Sequence, residues 1–232
     1  MSTVHLLSGG AAFGLVSQLE ARFTADTDCR IAGTYSAVGV MRDRLLAGAA
    51  CDVVILTAAL IAQLEASGHV VAGSARALGR VKTGVAVKAG ATPPAVGTPD
   101  ALKAALLEAS GIYFPDPVKA TAGIHVMAVL QQLGIDTAVA DRLRPFPNGA
   151  TAMGEMARCA DPGVIGCTQV TEILYTPGVQ LVAPLPQAFE LATVYTAAIS
   201  SQADSPNAAA ALIALLAGPH TQSVRHAGGF EG

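Results

Sequence analysis

The chain is an α/β protein whose sheets are mainly parallel and carry helices on both faces. Two observations predict this. Short apolar runs alternate with segments of helical spacing along the whole chain, and that β-α-β-α order builds parallel sheets. The 232 residues are 52% hydrophobic yet only 4% aromatic, without a single Trp. The core must therefore be made of Ala, Val, Leu and Ile, which suits helices packed closely on buried strands.

The elements follow in order. Val4–Leu7 reads as a buried strand, and Ala12, Leu15, Val16, Leu19 and Phe23 then recur at helical spacing. Arg30–Thr34 is a second strand, followed by a helix over Val40–Ala47 that Gly48 closes. Asp52–Leu56 is a very apolar strand before a helix that runs through Leu64 and stops at Gly68. Val81–Val87 is a strand ending in the turn cluster Lys88-Ala-Gly-Ala-Thr-Pro-Pro. Pro99–Ala109 is a helix with Thr98 as its N-cap, and Gly111–Phe114 a strand entering a Pro-Asp-Pro loop. A helix opens at Thr121 or Ala122 and stops at Gly134, and Asp136–Leu143 reads as another. Arg144-Pro-Phe-Pro-Asn-Gly breaks the chain before a helix over about Thr151–Cys159. Strands at Gly163–Cys167, Val179–Ala183 and Ala192–Ile199 and a helix over Ala208–Leu216 complete the pattern.

Composition narrows the function classes. Charged residues make up 13% and the net charge is −3, with no basic stripe, so nucleic-acid binding is not expected. The longest apolar runs, Val53–Leu64 and Ala208–Ala217, are shorter than the roughly 20 residues a membrane-spanning helix needs, so membrane insertion is not expected either. The first ten residues lack a charged segment ahead of a long apolar stretch. This predicts a cytoplasmic protein without an export signal, or a periplasmic one whose leader was trimmed. Cys29, Cys51, Cys159 and Cys167 form no CxxC, and the five His residues are scattered. Free thiols, no metal site and no cofactor are the expectations.

In parallel sheets, ligands sit beyond the carboxyl ends of the strands. Small or hydroxyl residues stand at several such ends: Ser8, Gly9 and Gly10; Tyr35 and Ser36; Thr57; Thr121; Thr168. Helix N-termini offer free backbone N–H groups and a positive dipole end, so several together would hold a small anion without a buried cation. Gly9 and Gly10 allow a ligand to approach the backbone, or simply make a tight turn. Thr57 is a ligand contact or a plain N-cap. Lys119 precedes the Thr121 helix and pairs with a carboxylate, acts as a base, or stays solvated. His125, one turn into that helix, shuttles a proton or packs on the helix face. Cys167 lacks a base beside it and reads as a buried thiol. Gln169 and Tyr35 are lesser candidates.

The chain resembles the periplasmic molybdate-binding protein family, a branch of the type II solute-binding fold. The resemblance spans nearly the whole chain. It rests on Ser8-Gly-Gly-Ala-Ala, Gly48-Ala-Ala-Cys-Asp-Val-Val-Ile-Leu-Thr, Asp116-Pro-Val-Lys-Ala-Thr-Ala-Gly, Gly163-Val-Ile-Gly-Cys-Thr, Tyr195 and the ending Gly229-Phe230, in that order. It implies two lobes, 1–80 with 196–232 returning to it and 81–195, around a hinge cleft closed by lobe motion. It also implies ligand contacts from Thr57, from the backbone at Thr121 and Ala122, and from Asn148. The family's three hydroxyl donors align with Ala11, Gly39 and Gly166, although Ser8 or Ser36 could substitute. Tyr to Gly at position 166 would open space for a larger, organic ligand.

Three functions follow as expectations. The first is a cytosolic enzyme on a solute-binding fold, since the superfamily includes an aconitate isomerase. It would isomerise a small unsaturated organic polycarboxylate, with Lys119 or His125 as the base. The second is a non-catalytic binding protein for molybdate, another oxyanion or an organic acid. The third is a ligand sensor that binds another protein. Each takes a small anionic ligand, and none fixes an oligomeric state.

Overall fold

Alternating strands and helices do form, and they gather into two compact units. One comprises the chain up to Val81 together with Thr193–Gly232, the other Lys82–Ala192. The structure is a computed structural model describing residues 2–232.

The first unit opens with β1 (Ser2–Gly9), a 3-10 turn over Gly10–Ala12, α1 (Phe13–Thr27), β2 (Cys29–Ser36), α2 (Val38–Leu46), β3 (Val53–Thr57) and α3 (Ala58–Ala66). Gly48 and Gly68, just past α2 and α3, take φ of +81° and +75°, the left-handed geometry that ends a helix. β4 (Arg76–Lys88) carries the chain into the second unit, and β9 (Ala192–Ile199) brings it back to α8 (Pro206–Ala217) and α9 (Gln222–Ala227). The sheet order in this unit is β2-β1-β3-β9. β1 runs parallel to β2 and β3, whereas β9 is antiparallel to β3. Phe23 and Leu15 of α1, Leu6 and Ile55 of the sheet, and Leu212 of α8 are all buried in one core. Asp52 is buried beside them. Its Oδ2 accepts the His5 N–H at 2.7 Å and its Oδ1 the Ser205 N–H at 2.8 Å, which ties the start of α8 to β1.

The second unit contains α4 (Pro99–Glu108), β5 (Gly111–Pro115), α5 (Thr121–Gln132), β6 (Leu143–Phe146), α6 (Gly149–Arg158), β7 (Val164–Gln169), α7 (Val170–Tyr175) and β8 (Val179–Pro184). β7, β5 and β6 are parallel neighbours, and β4 lies antiparallel between β7 and β8. Alternate residues of a strand point to opposite faces. Val85 and Val87 pack with Leu102, Leu106, Val126 and Leu130 of α4 and α5, while Ala86 packs with Ala152, Met153 and Met156 of α6. The sheet is covered on both sides, as the sequence predicts.

Two expectations fail here. Asp136–Leu143 is not a helix. Ile135 and Val139 are buried at helical spacing, but the segment is a turn followed by a 3-10 turn at Ala140–Arg142. Arg142 holds it there by donating to the carbonyls of Leu107, Ala109 and Ala138. The Pro-rich stretch that follows forms β6 as well as a break. It is the edge strand of this sheet, where Pro145 removes no inner hydrogen bond. Among the described residues, no helix is long and apolar enough to cross a membrane.

Candidate functional site

In the first unit, the register brings the predicted residues to one edge of the sheet. Gly9 pairs with Ser36, Ser8 with Tyr35 and Ile55, and Thr57 with Tyr195. These are the carboxyl ends of β1, β2 and β3. Gly9 serves packing: a Cβ there would lie 2.7 Å from Val38 Cγ1 and 3.2 Å from Tyr195 Cε1. Ser8 is fully buried, and its Oγ–H donates to the Gly9 carbonyl at 2.8 Å. Thr57 caps α3, its Oγ1 accepting the Leu60 N–H at 3.4 Å. The turn that starts at Gly10 and the start of α2, which contains Gly39, have no side-chain cap. Ala11 is buried.

In the second unit, Thr121, Ala122, Asn148 and Thr168 gather at the carboxyl ends of β5, β6 and β7. α5 is seated tightly, because a Cβ on Gly123 would collide with the carbonyl oxygens of Pro115 and Asp116. Its N-cap, Ala120, supplies no side-chain acceptor. Asp116 Oδ1 instead accepts the N–H groups of Val118 and Lys119, which fixes the preceding loop. The Lys119 side chain is exposed. His125 Nε2 lies 2.7 Å from the Phe189 carbonyl oxygen. A carbonyl only accepts, so that nitrogen carries the hydrogen and proton acceptance falls to Nδ1.

The N-terminus of α6 is engaged by the chain itself. Asn148 Oδ1 accepts the Thr151 N–H at 2.8 Å, so Asn148 is an N-cap with only its NH2 left to donate outward. Thr168 is fully buried, and its Oγ–H donates to Glu172 Oε2 at 2.6 Å. Glu172, on α7, is the residue that sequence reasoning missed. Burial raises its pKa above the ordinary carboxylate value, against the opposing pull of the Thr168 hydroxyl and the backbone N–H groups of Ala150, Gln169 and Gly149. Its carboxyl group thus stands at a helix end where an external anion was expected. A Cβ on Gly149 would collide with both the Glu172 and Thr168 oxygens. Thr168 and Gln169 stand four and three residues before Glu172, so this half of the contact is local, whereas the half that joins the start of α6 to α7 spans the whole of β7 and leaves no signal in spacing.

The enlarged site inferred at position 166 is corrected. A Cβ on Gly166 would lie 2.5 Å from Met153 Cε and 2.9 Å from Met156 Sδ. The methionines of α6 fill the space a Tyr would take. Cys167 is buried, and burial pushes its thiol up to about 12, so it stays protonated at neutral pH. Among the described residues, no group of three or more His, Cys, Asp or Glu could hold a metal ion.

Two α/β units, each with helix starts gathered at the carboxyl edge of its sheet, have the plan of a solute-binding fold. The chain belongs to the bacterial extracellular solute-binding protein family, whose model matches residues 4–231. It is 26% identical over 225 residues to an aconitate isomerase from a Pseudomonas species, a match covering 94% of this chain and 83% of that protein. Its fold is similar to the periplasmic molybdate-binding protein of Azotobacter vinelandii, with a TM-score of 0.80 at 17% identity over 98% of both chains. It is also similar to a sulfate-binding protein of Mycobacterium tuberculosis, with a TM-score of 0.76 at 18% identity over 99% of this chain and 86% of that one. These likenesses establish the type II solute-binding fold.

Proposed function

We propose that the protein isomerises a small unsaturated organic polycarboxylate by proton transfer. One observation carries this reading: the 26% identity with an aconitate isomerase along 94% of the chain. In such a reaction a base removes the proton from a carbon next to a carboxylate. The double bond moves by one carbon, and a proton is added at the far carbon. One C–H bond breaks and one forms, so no redox partner is needed.

The N-terminus of α5, with the backbone N–H groups of Thr121 and Ala122, is the proposed carboxylate clamp in the second unit. It lacks a side-chain cap, which supports the assignment. Asn148 is a proposed contact through the NH2 group it retains, whereas the Thr168 hydroxyl has given its one proton to Glu172 and has none left for a carboxylate. Gly9, Gly10, Ser36 and Thr57 are the proposed contacts of the first unit, the Ser8 hydroxyl proton being already given to the Gly9 carbonyl. Lys119 and the Nδ1 of His125 are the candidate bases.

The test is NMR of trans-aconitate and cis-aconitate incubated with the protein in D2O. Deuterium appearing at the allylic carbon together with interconversion of the two acids is expected. Lys119→Ala or His125→Ala should lower turnover at least a hundredfold while binding persists, and normal rates in both would remove these bases.

The second reading is a binding protein without chemistry, for molybdate, sulfate or an organic acid. The family's description and the molybdate- and sulfate-binding neighbours favour it. So does the bond that commits His125 Nε2 to a carbonyl. Stabilisation by molybdate or sulfate, with neither isomerisation nor exchange of either acid, would establish it in place of the isomerase.

A further inference from the structure

Thr83 and Gln169 sit directly opposite each other in the antiparallel β4–β7 pair. Such partners project to the same face of the sheet with neighbouring Cβ atoms. Both are buried, at 1% and 3% exposure. Thr83 Oγ1, Gln169 Oε1 and Gln169 Nε2 all lack a hydrogen-bond partner. Native proteins leave few buried polar atoms unsatisfied, and each asks for an explanation. Among the described residues four buried side-chain polar atoms are in this condition, and three of them belong to this one pair.

Neither side chain makes an internal hydrogen bond. The backbone of Thr83 is fully engaged, its N–H with the Leu191 carbonyl and its carbonyl with the Leu185 N–H. Gln169 precedes α7, but its side chain caps nothing. The adjacent Thr168, facing the other way, finds Glu172. Gln169 also stands at the carboxyl end of β7, on the sheet edge that carries Thr121, Ala122 and Asn148. Together the pair offers an NH2 group, a hydroxyl and an amide oxygen. Two neutral donors match the two oxygens of a carboxylate, and the amide oxygen can accept from a hydroxyl or an acid proton.

We propose that Thr83 and Gln169 form a neutral hydrogen-bonding subsite for one carboxyl group of a small organic acid. The subsite would select organic acids by shape and hydrogen bonding without contributing charge. Which acid is bound rests on the isomerase reading, whereas the subsite itself does not require turnover.

The experiment therefore separates binding from chemistry. Wild type, Thr83→Val, Thr83→Ser and Gln169→Met are titrated calorimetrically with trans-aconitate and with its saturated analogue tricarballylate, which cannot isomerise. Each protein is also melted without ligand. The Val and Met variants should bind both acids at least tenfold more weakly and melt at or above the wild-type temperature, because an orphaned buried polar group is gone. The Ser variant, which keeps the hydroxyl, should bind like wild type. This result supports the subsite even if neither acid is turned over, in which case only the isomerase reading falls. Wild-type affinity in the Val and Met variants overturns the subsite whatever the turnover. So does wild-type protein that binds neither acid. Equal losses in Thr83→Ser and Thr83→Val, or lowered melting in both the Val and Met variants, assign the pair to the fold and overturn it too.

Discussion

Glu172 shows what a single buried carboxyl group does to this unit. Burial raises its pKa above the ordinary 4.5, so the folded chain holds the proton to a higher pH than the unfolded chain does. As pH rises through the window from 4.5 to that raised value, the unfolded chain releases a proton that the folded chain keeps. Stability must fall through that window and level off above it. Glu172→Gln keeps an acceptor for the backbone N–H groups and removes the titration. The melting-temperature difference between variant and wild type should therefore grow in favour of the variant from about pH 4 upward, as followed by circular dichroism. A difference that stays constant with pH would refute the raised pKa. Asn148→Ala should cost about 1 kcal/mol at any pH, the usual loss of an N-cap. At this scale the sequence marked places better than roles. Ser8, Thr57, Asn148 and Thr168 could be found because hydroxyl and amide residues at strand-to-helix junctions are visible in one dimension. The cap reading of Thr57 was open in the sequence, but that the groups of Ser8, Asn148 and Thr168 are bound to Gly9, Thr151 and Glu172 was not, because capping competes with ligand binding for the same atoms.

Helix seating in the second unit depends on how closely backbones approach. α5 crosses the β5 loop at Gly123, where a Cβ would strike two backbone carbonyl oxygens, and α6 lies on β7 at Gly166, where a Cβ would strike the ends of Met153 and Met156. Backbone cannot yield cheaply, but a methionine can. Gly123→Ala should therefore cost more than Gly166→Ala, with overpacking penalties of about 1–3 kcal/mol as the reference and Gly123 at or beyond the upper end. Urea unfolding of the two variants measures the order, and a reversed order would mean that α5 can shift on its loop. Most elements were legible because their ends carry chemistry of their own. Thr98 accepts the Ala101 N–H as the predicted cap of α4, and the glycines after α2 and α3 stop them. The segment after α5 was not legible. Ile135 and Val139 satisfy helical spacing while being buried from a turn, and the contacts of Arg142 that fix the turn reach back to Leu107 and Ala109, beyond any local window. β6 hid behind Pro145, which an edge strand tolerates and a central strand does not.

At the scale of the whole molecule, connectivity makes the two units unequal. Lys82–Ala192 is one continuous segment with its own buried clusters around Leu102, Ile112, Phe114 and Leu130, and around Met153 and Met156. The other unit is assembled from both ends of the chain: its core joins Leu6, Phe23 and Ile55 from the segment ending at Val81 with Leu212, Ile213 and Phe230 from Thr193–Gly232. A continuous segment closes its core through shorter loops than a core built from opposite ends of the chain, and loop closure costs entropy that grows with length. Phe114→Ala and Phe23→Ala remove equally buried rings, one from each core, and each should destabilise its own unit by about 3–5 kcal/mol. Native-state hydrogen exchange should then show protection lost over Lys82–Ala192 alone in Phe114→Ala. In Phe23→Ala the loss should appear simultaneously in the segment ending at Val81 and in Thr193–Gly232, because α1 and α8 share one core, while Lys82–Ala192 keeps its protection. Uniform loss along the whole chain in both variants would show instead that β4 and β9, which pass from one unit to the other, couple the two cores into a single cooperative block.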